Sequence, residues 1–282
     1  MAIIEKLPIP ATDTIPAATV DGMPHKPPME REALRDVISL SLWAGQMLLQ
    51  NGADTARVEE TVHRLGTGLG CDWLDIVVLP DSITATTTNN LEFRTRVRRA
   101  PVRGVNMDII AQVSDVSFRV RTGTLDRFDL RNELRRIDKL PKNYNRWLVV
   151  FGVGASCAAF ARLFDGDAAV MLIVLIASSA AMFVRQELHH HAFNTLIITI
   201  ATAFVAGVIA ASSALFGGKV ETAQAAAVLL LVPGVPLINA AEDLIRGHVV
   251  TGLARGFNGL LVALAIALGL GMAIWLTGGQ GL

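Results

Sequence analysis

Cysteine is nearly missing from this chain: of 282 residues, only Cys71 and Cys157 are cysteines. The first falls in a polar half and the second inside an apolar run, which argues against a disulfide. There is no CxxC pair, so a zinc site has no framework. No secretory leader is expected either, because Met1–Glu30 has no basic start followed by an apolar core. That stretch holds six of the eleven prolines, between Pro8 and Pro28, and reads as a disordered tail over residues 1–29. The sequence offers no nucleophile elbow and no metal motif, so no catalytic centre and no cofactor are expected.

Net charge is zero, but its distribution is uneven. Arg94 to Arg146 holds fourteen Lys/Arg against six Asp/Glu, just before the first long apolar run. A cytoplasmic flank obeying the positive-inside rule explains this better than nucleic-acid binding. At 52% hydrophobic residues, with the excess in the second half, the chain is too apolar for an average soluble domain.

Residues 30–145 read as an α+β domain. Leu34, Val37, Ile38, Leu42 and Leu49 lie near helical spacing, and Asn51-Gly52 ends that helix. Asp54 is placed to cap a second helix over Thr55–Leu69, closed by Gly70. Three short strands are expected over Trp73–Leu79, Ser82–Thr88 and Leu91–Arg99, with Asn89-Asn90 as a hairpin signal. Phe93, Thr95 and Val97 alternate with arginines, so one face of the sheet is expected to be packed and the other basic. Asn106 can cap a helix to Arg121, and Thr124 another to Leu140, with Pro141 ending it.

Residues 146–282 contain five apolar runs: Trp147–Phe164, Ala168–Leu188, Ala192–Phe216, Ala223–Ala241 and Leu253–Leu276. Each is near the ~20 residues that cross a bilayer as a helix. The fold class expected is an α-helical integral membrane protein with five transmembrane helices, one interrupted, and an N-terminal α+β cytoplasmic domain. Arg146, Arg185, Arg246 and Arg255 fall on the side of that domain, which puts it in the cytoplasm and the C-terminus outside. The fourth run is broken at Pro233-Gly234-Val235-Pro236. Such a break cannot face lipid; it is buried in protein or lines a cavity, as in secondary transporters.

The candidate substrate-binding or coupling residues cluster here: Pro233, Gly234, Pro236, Asn239, Glu242, Asp243, Arg255 and Asn258. Gly234 opens a half-helix whose N–H groups favour an anion. Asn239 and Asp243 are four apart and share a helix face. Asp243 is either a proton or cation site or, with Glu242, a residue of the interfacial water. Arg255 could attract a carboxylate, pair with Asp243, or anchor to lipid headgroups. Hydroxyls in the spans (Ser156, Ser178, Ser179, Thr199, Thr202) favour structural roles. His189-His190-His191 reads as a juxtamembrane polar loop rather than a metal cluster, since consecutive helical residues diverge. Arg57 and Glu59 read as an ion pair of surface or core rather than a hydrolase centre.

The stretch LLLVPGVPLINAAEDLIRGHVVTGLAR resembles the threonine/serine exporter family, as do Leu48–Gly70, the segment RGVNMD at Arg103–Asp108, and Arg146–Phe160. Full-length family members carry two membrane units, whereas this chain has one. The resemblance therefore implies the split type, a large subunit working with a small inverted membrane subunit. It also implies export of a small carboxylate through the bacterial inner membrane, with succinate the first candidate and threonine or serine next. Two other classes compete: a membrane-anchored hydrolase and a metabolite sensor. Five passes with a broken helix exceed what an anchor needs.

Overall fold

The computed structural model describes residues 26–89, 92–101, 104–140 and 144–278. Residues 1–25 of the expected tail, Asn90 of the hairpin signal, Arg103 and the helix-ending Pro141 lie outside the described residues. The N-terminal part runs α1 (Arg31–Gln50), α2 (Thr55–Gly68), β1 (Trp73–Leu79), β2 (Ser82–Asn89), β3 (Glu92–Arg99), α3 (Met107–Arg121) and α4 (Arg127–Asp138). Local chemistry sets most of these bounds. The buried residues Leu34, Val37, Ile38, Leu42, Leu48 and Leu49 give α1 one apolar face. Asn51 closes it by donating its side-chain amide to the Met47 carbonyl at 2.7 Å, and Gly52 turns the chain at φ +87°. Asp54 caps α2 by accepting the Arg57 N–H at 2.9 Å. Asn106 caps α3 by accepting the N–H groups of Asp108 and Ile109.

The cap of α4 is Asp126, not Thr124. Its carboxylate accepts the N–H groups of Phe128 and Asp129, both at 2.8 Å. A charged acceptor at the positive end of a helix outcompetes a neutral hydroxyl. The Thr124 hydroxyl instead meets that of Thr122 at 2.9 Å.

The three strands form one antiparallel sheet in the order β1-β2-β3. Its inner face, with Leu74, Val78, Ile83 and Ala85, packs against α1 and α2. The basic face is not where the alternation suggested. Arg94, Arg96 and Arg98 pair across from Thr87, Ala85 and Ile83, so they share the packed face. They overhang α1 at the sheet edge, where Arg96 donates to the Ser39 hydroxyl and Arg98 to Gln46 Oε1 at 3.0 Å. Long stems let the charged ends reach water past the helix. The outer face is open and mixed, with Trp73, Val77, Phe93 and Val97 exposed on β1 and β3 and Thr84, Thr86 and Thr88 between them on β2.

The second part is helical: α5 (Arg146–Leu163), α6 (Ala168–His190), α7 (Thr195–Ala211), α8 (Val220–Val228), α9 (Gly234–Ile245) and α10 (Val249–Leu276). Single 3-10 turns follow α7, at Ser212–Phe216, and α8, at Leu229–Leu231. Among the described residues, four helices, α5, α6, α7 with its 3-10 extension, and α10, are long and apolar enough to cross a bilayer. Val220–Leu231 and Gly234–Ile245 form a fifth, interrupted pass, bent by 65°. The core of this bundle is rich in alanine, including Ala177, Ala181, Ala203, Ala206, Ala226 and Ala227. Apolar tails outside are as oily as any side chain inside, so close backbone approach by small residues drives packing. The tightest approach to a main-chain atom is between α7 and α10. A Cβ on Gly269 would stand 2.3 Å from the Ile200 carbonyl oxygen, whereas one on Gly271 meets nothing within 4 Å.

Gly269→Ala is therefore expected to lower the thermal midpoint of the detergent-solubilised chain, by overpacking worth about 1–3 kcal/mol. Gly271→Ala on the same helix leaves it unchanged or slightly raised. Thermal unfolding of both variants separates crowding at one position from loss of glycine as such.

Candidate functional site

The broken pass and the turn between α1 and α2 build one site. Pro233 precedes α9, and its carbonyl accepts the Leu237 N–H at 3.1 Å. Two carbonyls before the break, one in α8 and one in the 3-10 turn after it, are taken by α6. Ser178 donates to the Ala227 carbonyl at 3.3 Å and Arg185 donates to the Leu230 carbonyl at 3.2 Å. The break is thus tied to α6 on its carbonyl side but is not enclosed: Val232 and Pro236 are exposed, Pro233, Gly234 and Val235 are half-buried, and a Cβ on Gly234 would meet nothing within 4 Å, an opening whose backbone lipid could not satisfy. Its donor side is leaner than expected for an anion site. The Gly234 N–H goes to the Val232 carbonyl at 2.9 Å, and Pro236 has no N–H. Of the first three residues of α9, only Val235 keeps an N–H to offer.

Nine residues further along, about 13 Å at helical rise, lies the polar centre. Asp243 is fully buried. One carboxylate oxygen accepts the backbone N–H of Thr55 at 3.0 Å, and the other accepts from Arg255 at 2.9 Å. Arg255 also donates to the Ala53 carbonyl at 3.0 Å, and the Asn239 amide donates to the Gly52 carbonyl at 2.8 Å. Thr251 adds a bond to the Val78 carbonyl at 3.1 Å. The carboxylate sits at the N-terminus of α2, where the helix dipole favours negative charge. α9 and α10 come close enough for the pair because glycines line the seam. A Cβ on Gly252 would stand 2.8 Å from Leu244 Cγ and one on Gly259 2.5 Å from Leu237 Cδ2.

Asn239, Asp243 and Arg255 thus meet in one network, joined to main-chain atoms of residues 52–55. Pro233, Gly234 and Pro236 lie at the far end of α9. Glu242 points elsewhere and pairs with Arg246 at 2.8 Å on the surface. Asn258 is exposed one turn beyond Arg255. The sequence reading did not identify Gly52, Ala53, Thr55, Thr251 and His248 as partners, nor the role of Arg185 at the break. Asn51-Gly52 and Asp54 were legible as helix punctuation, but nothing local marks the main chain between them as a docking point.

Glu59 of α2 faces His248 across the same junction at 3.6 Å, and Arg57 pairs back to Asp54 at 3.3 Å. Burial pushes the Glu59 carboxyl above its ordinary range; His248 pulls it back down, and Asp243 adds a smaller upward push. The hydroxyls of Ser156, Thr199 and Thr202 bond carbonyls of their own helices, in keeping with structural roles. His189 and His190 end α6, and His191, which follows them, lies 3.7 Å from Glu187.

Several apolar passes, one of them broken and tied to an α+β unit at its end, define a multi-pass membrane protein. The chain belongs to the threonine/serine exporter family, ThrE, whose profile ("Putative threonine/serine exporter") matches residues 39–277. It is 37% identical over 255 residues to a Klebsiella aerogenes protein named "Probable succinate transporter subunit YjjP", covering 89% of this chain and 98% of that one. The Escherichia coli protein of that name is 36% identical over 257 residues, covering 90% and 99%. A "Threonine/serine exporter" of Corynebacterium glutamicum is 24% identical over 278 residues, covering 92% of this chain but 57% of its own length. No solved structure matches significantly.

Two outcomes test the junction. Asp243→Asn and Arg255→Gln each leave a buried partner uncompensated, at a cost of about 3–5 kcal/mol. The double variant is expected to cost less than the sum, as read by thermal unfolding of all four proteins. The raised Glu59 carboxyl means that the folded state binds its proton more tightly than the unfolded state does. Its contribution to stability is present at acid pH and is lost as pH rises through the folded value. Glu59→Gln is therefore expected to stabilise the chain more at pH 8 than at pH 4, relative to the unsubstituted protein.

Proposed function

We propose that this chain is the large subunit of a two-component exporter. It moves a small carboxylate metabolite, a succinate-type dicarboxylate, out of the cytoplasm together with a small membrane subunit of the same family and inverted design. The observation that carries this reading is the half-open break at Pro233–Pro236 in a chain belonging to an exporter family. Near-complete coverage of relatives named as succinate transporter subunits supports the two-component form, and so does the match to 57% of a longer single-chain exporter. An odd number of passes suits an inverted partner. The outward apolar stripe of α10 (Phe257, Leu260, Leu264, Leu268, Met272) gives that partner or lipid a surface.

In this reading the protein lies in the bacterial inner membrane, with the α+β unit cytoplasmic and the C-terminus periplasmic. Substrate would sit where the breaks of the two subunits face each other. The Asp243–Arg255 junction closes the cytoplasmic end of α9 and α10, and proton uptake on Asp243 would release Arg255 and let the α+β unit swing. Export of threonine or serine is the second reading, favoured by the name of the Corynebacterium relative.

Efflux from proteoliposomes loaded with labelled succinate or labelled threonine tests both, with this chain alone and with the small subunit. Succinate efflux that requires the partner is the expected result. Threonine efflux would move the protein to the amino-acid branch, and efflux of neither would remove the exporter reading. With efflux in hand, Asp243→Asn is expected to flatten its pH dependence. An unchanged profile would take Asp243 out of coupling.

A further inference from the structure

The α+β unit carries a second polar site, far from the broken pass in sequence and chemistry. A surface cavity of about 360 Å³ opens between α1, β3 and α4, within the size range of small-molecule sites. Arg98, Arg131 and Arg135 converge on it, and Leu40 and Trp43 form its apolar wall. Asp36 is the single carboxylate among the lining residues and is already engaged by Arg131. Arg98 spends one N–H on Gln46 Oε1 at 3.0 Å, and Arg135 has no side-chain partner among the described residues. Beside it, a concavity of about 270 Å³ is lined by Arg35, Arg94 and Arg96 with no carboxylate. Burial, and after it the neighbouring Arg96, pull the Arg98 guanidinium below its ordinary value.

We propose that this groove binds a small organic polyanion, a molecule bearing two or more carboxylate or phosphate groups, as a ligand of the α+β unit. Guanidinium forks on β3 and α4 suit bidentate grasp of such groups, and Trp43 can cover the body between them. A concavity of this size fits a metabolite rather than the extended track that a nucleic acid needs. The site also adjoins α1, whose C-terminal turn is the one held by Asp243, Asn239 and Arg255. A ligand clamping α1 to α4 therefore bears on the junction that the exporter reading treats as a gate.

Calorimetric titration of the full-length chain in detergent, at constant ionic strength, with citrate and with pyrophosphate tests the site without any transport measurement. Saturable one-to-one binding of at least one probe is expected. Arg135→Gln, an exposed and unpartnered position where folding is not at stake, is expected to weaken it about tenfold. Arg119→Gln, a charge of the same sign on α3, leaves it unchanged. Equal affinity in Arg135→Gln would overturn the proposal. So would equal losses in both variants, which would mean bulk electrostatics, or a single-stranded oligonucleotide displacing both probes at lower concentration. Failure here leaves the efflux experiment standing, and failure there leaves this one.

Discussion

A buried carboxylate is the constraint on which this architecture depends. Asp243 has no exposed surface, and both of its oxygens are committed, one to the start of α2 and one to Arg255. A charge taken out of water is tolerable only when paired and hydrogen-bonded. That requirement fixes three things together. α10 must approach α9, which the glycines at 252 and 259 permit. The turn after α1 must present the Thr55 N–H to the membrane helices. Arg255 must reach the Ala53 carbonyl rather than lipid headgroups. None of the three can be relaxed without stranding a charge.

The break in the fourth pass obeys the same accounting with neutral groups. Interrupting a helix frees carbonyls on one side and N–H groups on the other. On the carbonyl side, Ser178 and Arg185 of α6 supply donors. On the N–H side, proline at the third position of α9 and the bond from Gly234 to Val232 reduce what is left open. The kink is therefore anchored to α6 on its carbonyl side and, at Leu237, to the seam with α10, while Val232 and Pro236 stay exposed.

Most of the fold could be read along the chain because its signals are local. Asp54 and Asn106 cap helices where expected, β1 spans Trp73–Leu79, and the apolar runs mark the passes. Thr124 misled because two cap types stood two residues apart, and the choice between them depends on which side chain, hydroxyl or carboxylate, reaches the free N–H groups. The arginines of β3 misled because alternation tells which residues share a face but not which face is covered. In the site, Asn239 and Asp243 fell on one face by spacing alone, and the Asp243–Arg255 pair was among the options for Arg255. Their partners in residues 52–55 lay nearly 190 positions away and are main-chain atoms. Arg185 was visible only as a charge on one side of the membrane.

The membrane helices touch that turn almost entirely through carbonyls and one amide: Gly52, Ala53, Thr55 and, nearby, Val78. They read the path of the backbone and not the identity of its side chains. Substitutions there can drift so long as the left-handed bend at Gly52 survives, and the docking surface leaves almost no record in composition. Pairwise covariation between the two halves of the chain would then be weak at the place where they are held most tightly. The selective burden would fall on the side chains that reach for that backbone, Asn239, Asp243, Thr251 and Arg255, with Glu59–His248 the side-chain pair across the junction.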